Sequence, residues 1–378
     1  MSEGEKFGEV EIAIVGGGIT GASLAWGLSR LGKKVLVLDE GDVAFRASRG
    51  NFALIWVQLK GLGFPAYAHW TNWAADAWPG FAQTLSDQTG IDIAFRRSGG
   101  LTLALSDDEM EKQAKAWARL REQPDMPACP HERLDHDGIG RLLPDIGPDV
   151  VGGFYCPRDG HVNVLRLFAA LHRGLALSGV DYRADHRVDA IVPDGTGFRL
   201  SGAWGEVGSA KVVLAAGLGN AVLASMIGLT MPVRPVGGHV MVTEKARPFL
   251  RYPTTSVRQT DDGGVMIGTS QEERGFDTSV SPAVLSTLAE RAIRTFPLLG
   301  RLNVVRSWSA LRIMTPDGFP IYDRSLRYPG AFGATCHSGV TLAPAHALRL
   351  ASWIAEDGSS SGLLDVFRGR RFDVPALA

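Results

Sequence analysis

The chain is poor in cysteine: Cys129, Cys156 and Cys336 are its three thiols in 378 residues, far apart and never in a C-x-x-C pair. That excludes a zinc ribbon, an iron–sulfur cluster held by this chain and dithiol redox chemistry, and no metal site is expected. Long apolar runs are missing too. Nothing approaches the roughly 18 residues of a membrane span, and the start Met1-Ser-Glu-Gly-Glu-Lys6 lacks the basic-then-apolar order of a secretory leader. A cytoplasmic protein is the expectation. Charge is balanced, 39 Lys and Arg against 40 Asp and Glu for a formal net charge of -1, which excludes the electrostatic footprint of a nucleic-acid binder. Arg368, Arg370 and Arg371 read as a solvated face, and Ser359-Ser-Ser361 is the one low-complexity tract.

Glycine, by contrast, is plentiful. Its 46 residues stand above the usual share of about 7 % and suit tight turns and close backbone approaches to a ligand. The most specific run is Glu11-Ile-Ala-Ile-Val-Gly-Gly-Gly-Ile-Thr-Gly-Ala-Ser23, followed by Val35-Leu-Val-Leu-Asp39. Residues 11–15 form an apolar strand. Gly16, Gly18 and Gly21 make a G-x-G-x-x-G turn, and the small residues Ala22, Ser23 and Ala25 open a helix that stops at Gly32. Gly16 permits the turn, Gly18 lets backbone N–H groups approach a pyrophosphate at the helix N-terminus, and Gly21 lets helix and strand pack closely. Asp39 ends a second strand about 20 residues on, where a carboxylate accepts ribose hydroxyls. Strand, turn, helix and acid together specify a dinucleotide site, for FAD or NAD.

The segment from Glu40 to Gln58 holds Gly41, Arg46, Ser48, Arg49, Gly50 and Asn51, a polar loop beside the nucleotide. Residues 66–89 read as one or two amphipathic helices around Pro79, with Trp70, Trp73, Trp78 and Phe81 as core. Residues 91–105 read as a hairpin turned at Ser98-Gly-Gly100, and residues 107–122 as a helix capped by Ser106 or Asp107. The Pro and Gly density between 124 and 150 reads as a crossover between domains. A helix over 164–178 and short strands near 180–184, 187–192 and 197–200 precede Lys211-Val-Val-Leu-Ala-Ala-Gly217, a buried strand that brings the chain back to the nucleotide. Strands near 240–243, 255–258 and 265–267, a helix over 280–297 and a strand over 304–312 follow, before a last strand and helix from Gly330. The spacing predicts an α/β fold, a Rossmann-like nucleotide domain (9–65, 148–222 and 325–378) interleaved with an α+β substrate domain on a mixed or antiparallel sheet (66–147 and 223–324). A simple NAD dehydrogenase needs neither the Ala215–Gly217 return nor the late Gly333–Gly339 segment, so the nucleotide is read as FAD.

Six blocks in this order, the fingerprint, Arg97-Ser-Gly-Gly-Leu101, Asp159-Gly-His-Val-Asn163, Val213-Leu-Ala-Ala-Gly217, Val257 to Asp277 and Trp308 to Pro320, resemble the D-amino-acid oxidase and sarcosine oxidase superfamily of FAD enzymes. Ser48 to Gln58, Pro65-Ala-Tyr67 and Cys336-His-Ser-Gly-Val-Thr-Leu-Ala-Pro344 narrow the likeness to the FAD-bearing B subunits of bacterial opine oxidases and D-hydroxyproline dehydrogenase. The resemblance implies a dehydrogenase cleaving the C–N bond of an opine or a D-proline-type imino acid, in a heteromer whose partner subunit holds any second flavin or [2Fe-2S] cluster. It implies FAD contacts at Gly16, Gly18, Ile19, Thr20, Gly21, Asp39, Glu40, Arg46, Ser48, Arg49, Gly50, Asn51, Val188, Ala216, Gly217, Arg312, His337, Ser338, Gly339, Val340 and Thr341. Two departures matter. Met266 stands where monomeric sarcosine oxidase carries a lysine for oxygen, which weakens the case for a true oxidase, and Ala310 stands where that enzyme carries its flavin-linked cysteine, so FAD is expected to be non-covalent.

Three residues are candidates for the chemistry. Arg312 stands where the resembling enzymes place an arginine on the substrate carboxylate, and a guanidinium fork suits that group; its alternative is an ion pair with Asp317. His337 either steers the amine or takes its proton, or is merely satisfied by backbone. His239 either lines the pocket with a role or is a silent wall residue. His69, His161 and His172 are assigned no function. Competing readings are a stand-alone glycine, sarcosine or D-amino-acid oxidase making hydrogen peroxide, and a non-catalytic flavoprotein kept for electron relay or assembly.

Overall fold

Four consecutive residues of the first strand, β1 (Val10–Val15), are buried, namely Ile12, Ala13, Ile14 and Val15. A strand apolar on both faces belongs inside a parallel sheet covered by helices. The computed structural model, which describes residues 10–41, 47–359 and 362–373, places it there. From β1 the chain runs through α1 (Ile19–Arg30) to β2 (Val35–Leu38), then α2 (Pro65–Thr89), β3 (Gly100–Ala104), α3 (Asp107–Glu122), β4 (Gly152–Cys156) and α4 (Val164–Leu177). β5 (Gly205–Leu214) returns beside β1. β6 (Arg234–Lys245), β7 (Gly264–Ile267), α5 (Pro282–Thr295) and β8 (Val304–Met314) follow, and β9 (Ala331–Thr335) and α6 (Gly339–Ala345) bring the chain back to the first sheet.

The first sheet has the order Ile321–Arg324, β9, β5, β1, β2, Asp181–Arg183, and every pairing from β9 to Asp181–Arg183 is parallel. The strands Ala190–Asp194 and Gly197–Gly202 form an antiparallel extension on the first half of β5. A second, antiparallel sheet runs Val257–Gln259, β7, β6, β8. The fold is thus α/β with a mixed sheet, and its strands and helices fall close to the expected spans. Two expectations need correction. Residues 91–105 are no hairpin: β3 pairs with β4, across some fifty residues of chain, because the apolar Leu101 and Leu103 find a buried face there. The 124–150 crossover carries its own structure, the strand Glu132–Asp135 on the other edge of β4 and the helix His136–Leu142, whose N-cap Asp135 accepts from Gly138 N at 2.8 Å.

α2 is one helix, with Pro79 on its exposed side and the left-handed Gly90 at its end. Trp70, Trp78 and Phe81 are buried between it and α1, α4 and α6. Three indole N–H groups of this core have partners, as burial demands: Trp26 on Gln88 Oε1 at 2.7 Å, Trp70 on Tyr322 Oη at 3.2 Å and Trp78 on the Thr341 carbonyl at 3.0 Å. The last bond fixes the start of α6. Among the described residues no helix is long and apolar enough to cross a membrane.

Two helical glycines make opposite predictions. A Cβ on Gly27 of α1 would lie 2.0 Å from the Ala347 carbonyl oxygen, so Gly27→Ala forces the helices apart and should lower stability by about 1–3 kcal/mol in urea denaturation. A Cβ on Gly80 of α2 meets nothing within 4 Å, so Gly80→Ala should raise stability by about 0.5–1 kcal/mol in the same assay.

Candidate active site

The carboxyl ends of four adjacent parallel strands converge on one crevice, where open α/β sheets bind their ligands. β1 ends at Gly16, β2 at Asp39, β5 at Ala215–Gly217 and β9 at Cys336-His337. At Gly16 φ is +105°, and a Cβ there would lie 2.4 Å from the Ala215 carbonyl oxygen. A Cβ on Gly21 would lie 1.9 Å from the Gly16 carbonyl oxygen, so α1 sits directly on the turn. Gly18 caps α1 with no side chain of its own, and the Ile19 N–H donates to Ser48 Oγ at 2.9 Å.

Asp39 does more than await a ribose. Its Oδ2 accepts from Gly17 N at 2.7 Å and its Oδ1 from Gly41 N at 3.0 Å, leaving each oxygen a further lone pair. His172 of α4, a residue whose helical position carries no motif, donates from Nε2 to the Gly17 carbonyl at 2.9 Å. Burial lowers its pKa and keeps the ring neutral. The peptide units on either side of Gly17 are therefore both held. Of the other expected contacts, Ala216 N donates to Asn220 Oδ1 at 2.9 Å, Gly217 has φ +59°, Glu40 follows Asp39 and Arg49 stacks on Phe168 at 4.9 Å. Val188 is buried against Leu36 and Leu38 of β2. Arg46 lies outside the described residues.

From the head of α1 a cavity of about 300 Å³ leads to the second sheet. Ile19, Thr20, Ser48, Gly50 and Asn51 line it together with Gly238, Ala310, Arg312 and the run Cys336 to Thr341, which adjoins Thr20. Thr341 is pinned from two directions, since its Oγ1 accepts from Trp56 N at 3.1 Å while its carbonyl takes the Trp78 indole. Arg312 of β8 lies across Gly238 of β6, where a Cβ would fall 2.2 Å from Nη1, and it donates to the Gly237 carbonyl at 2.8 Å. It has no ion pair among the described residues. Asp317, its alternative partner by sequence, is held by Arg371 at 2.8 Å, and Glu272 is engaged by His239 and Ser270. Desolvation lowers the pKa of Arg312, with Glu272 opposing. A recessed guanidinium without a carboxylate is costly unless a ligand supplies one.

The two candidate histidines part company. His337 lines the cavity with no hydrogen-bond partner among the described residues, and burial, with Lys60 and Arg312 nearby, lowers its pKa to about 3. His239 does not line the cavity. Along β6, Gly238 and Val240 face it, so His239 points to the other side, where Nδ1 meets Glu272 at 2.6 Å and Nε2 accepts from Ser281 N at 2.9 Å. Both ring nitrogens are engaged, and Nε2 holds the start of α5 through its N-cap residue Ser281. Met266 is buried with Phe52 and Val240 and touches the Arg258 guanidinium through Sδ at 2.7 Å. A lysine nonetheless reaches the cavity from another segment: Lys60, unnoticed in the sequence because it sits in a loop without a motif, donates to Ser338 Oγ at 2.9 Å.

A glycine cradle with no room for Cβ atoms, an acid at the end of the second strand and a cavity running on to a second sheet define a class, an α/β dinucleotide-binding protein with a cavity beside its nucleotide crevice. The sequence profile described as FAD dependent oxidoreductase (DAO) matches residues 11–353, and the chain belongs to this family. It is 48 % identical over 364 residues to the opine oxidase B subunit of Agrobacterium tumefaciens (strain Ach5), covering 96 % of this chain and 98 % of that protein. It is 47 % identical over 365 residues to the corresponding opine oxidase chain of Rhizobium meliloti, with 97 % and 98 % covered. The structure of glycine oxidase from Bacillus cereus superposes with a TM-score of 0.84 at 25 % identity, covering 94 % and 98 %. The protein is an FAD-dependent oxidoreductase acting on C–N donors.

The cavity offers FAD no nucleophile at Ala310, and burial raises the Cys336 thiol to about 12, where it stays protonated. Heat or acid denaturation should therefore release all flavin into the supernatant; yellow colour retained in the washed pellet would contradict this.

Proposed function

We propose that the chain is the catalytic subunit of a heteromeric dehydrogenase that oxidises the C–N bond of a carboxylate-bearing secondary amine, of opine or D-proline type. The observation that carries this reading is Arg312, a recessed cation without an anionic partner beside the segment Cys336 to Thr341. When bound, FAD would supply the two-electron acceptor for oxidation of the C–N bond. Gly16, Gly18, Gly21, Asp39 and Ser48 would hold its nucleotide half, and Cys336 to Thr341 would flank its ring. The chain's own residues then have three tasks. Arg312 binds the substrate carboxylate and, anchored by the Gly237 carbonyl, fixes which C–H bond faces the ring. His337, neutral above about pH 3, can accept a hydrogen bond from the amine without repelling it. Phe52, Leu54 and Trp56 line the rest and exclude water. The imine formed is hydrolysed to a 2-oxo acid and an amine, or remains cyclic.

The two opine oxidase relatives are each named as one subunit of an enzyme, which supports a partner to which electrons pass, and Met266 in place of a lysine agrees with slow direct use of oxygen. Anaerobic mixing with octopine, nopaline, D-hydroxyproline, D-proline, sarcosine and glycine should bleach the flavin with at least one secondary amine, and air should restore the colour more slowly than an artificial dye; fast recovery in air would favour a peroxide-forming oxidase.

Arg312→Lys should raise the apparent KM for a carboxylate substrate by about ten- to a hundredfold, as expected when a bidentate fork becomes a point charge, while FAD affinity changes little; equal losses would refute the substrate role. Because the depressed pKa of His337 keeps its ring neutral, any acid limb near neutral pH belongs to the substrate's ammonium group. His337→Gln should leave that limb of the flavin-reduction profile in place, and a limb that vanishes in the variant would assign it to His337 instead.

A further inference from the structure

Among the described residues the cavity wall contains two formally charged side chains, both cationic: Arg312 and Lys60. No Asp or Glu among them lines it. Lys60 comes from the loop before α2, far in sequence from β8. Its ammonium donates to Ser338 Oγ at 2.9 Å and lies 5.7 Å from the Tyr67 ring centroid. Tyr67 Oη donates to the same Ser338 oxygen at 3.0 Å, so that hydroxyl is saturated as an acceptor and orients the ammonium without neutralising it. Lys60 forms no ion pair among the described residues, and two of its three donors remain to be used. Both cations are near enough to His337 to disfavour its protonation. His337 thus shares the cavity wall with two positive groups.

We propose that Lys60 is a second anion anchor and that it sets specificity: the site selects imino diacids, with one carboxylate on Arg312, the other on Lys60 and the nitrogen between them beside neutral His337. The inference rests on the proposed C–N oxidation and sharpens its substrate class. A substrate with one carboxylate would satisfy Arg312 and leave Lys60, half-buried on the cavity wall, without an anion. A diacid neutralises both. A lysine whose ammonium is held by a hydroxyl rather than a carboxylate is free to do this without breaking an ion pair.

The test uses the FAD-loaded protein and two non-oxidisable thioethers, thiodiglycolate with a carboxylate on each side of sulfur and (methylthio)acetate with one, their affinities read from the perturbation of the flavin visible spectrum. Wild type should prefer thiodiglycolate by about tenfold or more, the scale of one charge-assisted hydrogen bond. Lys60→Met should abolish that preference, Lys60→Arg should keep most of it, and Arg312→Met should weaken both ligands. A wild-type protein without the preference, or a Lys60→Met variant in which both affinities fall together and their ratio survives, would overturn the proposal; the latter would place the lysine's role with the flavin or the fold. Failure of every secondary amine to bleach the flavin counts against amine oxidation itself. Collapse or survival of the affinity ratio concerns Lys60 alone.

Discussion

The absence of two side-chain carbons governs this molecule. A Cβ on Gly21 would lie 1.9 Å from the Gly16 carbonyl oxygen and one on Gly16 2.4 Å from that of Ala215, so β1, α1 and β5 meet at contact distance only because neither residue has one. That contact brings the ends of the parallel strands to a single crevice and aims the first N–H groups of α1 into it. Gly17, gripped by Asp39 on its N–H and by His172 on its carbonyl, ties the same turn to β2 and α4. Beside the cavity, Trp56 and Trp78 hold Thr341 of α6, and the Trp308 indole ties β8 to the Gly50 carbonyl at 3.1 Å.

Electrostatics divides the site differently from its backbone. At the nucleotide end an acid is satisfied by backbone donors and a histidine is neutralised by burial, so charge is contained. At the proposed substrate end two cations form no ion pair among the described residues, while the acids that could pair with Arg312 are already occupied, Asp317 by Arg371 and Glu272 by His239. These prior commitments matter as much as the cations themselves, since an arginine paired within the protein would offer a ligand nothing.

The nucleotide half was legible in the sequence because its determinants are local. A run of apolar residues, three glycines at fixed spacing and an acid one strand later dictate backbone geometry within thirty residues, and the Ala215–Gly217 return repeats the signature of a buried strand. The substrate half was legible only in part. Arg312 stood out through its motif, yet its freedom from Asp317 depended on Arg371, more than fifty residues away. Whether His239 faced cavity or helix hung on the register of β6, where a shift of one residue exchanges the two faces. Lys60 gave no signal, because a loop lysine is ordinarily solvent-exposed and its neighbours Tyr67 and Ser338 come from other segments. The 91–105 hairpin failed for a related reason: a glycine pair suggests a local turn, whereas the apolar face of β3 is completed by β4.

The pairing of β1 with β5 and of β5 with β9 also constrains how the protein is made. Ile14 lies against Val213, and Val213 against Phe332, so the middle of the sheet is assembled from the beginning, the centre and nearly the end of the chain. During synthesis from the N-terminus the fingerprint emerges early but has no β9 beside β5 and no Thr341 for Trp78 to hold. The cofactor crevice therefore comes into existence only after β9 and α6 have been made, and until then a nascent chain must shelter the apolar strands β1 and β5 without help from the flavin.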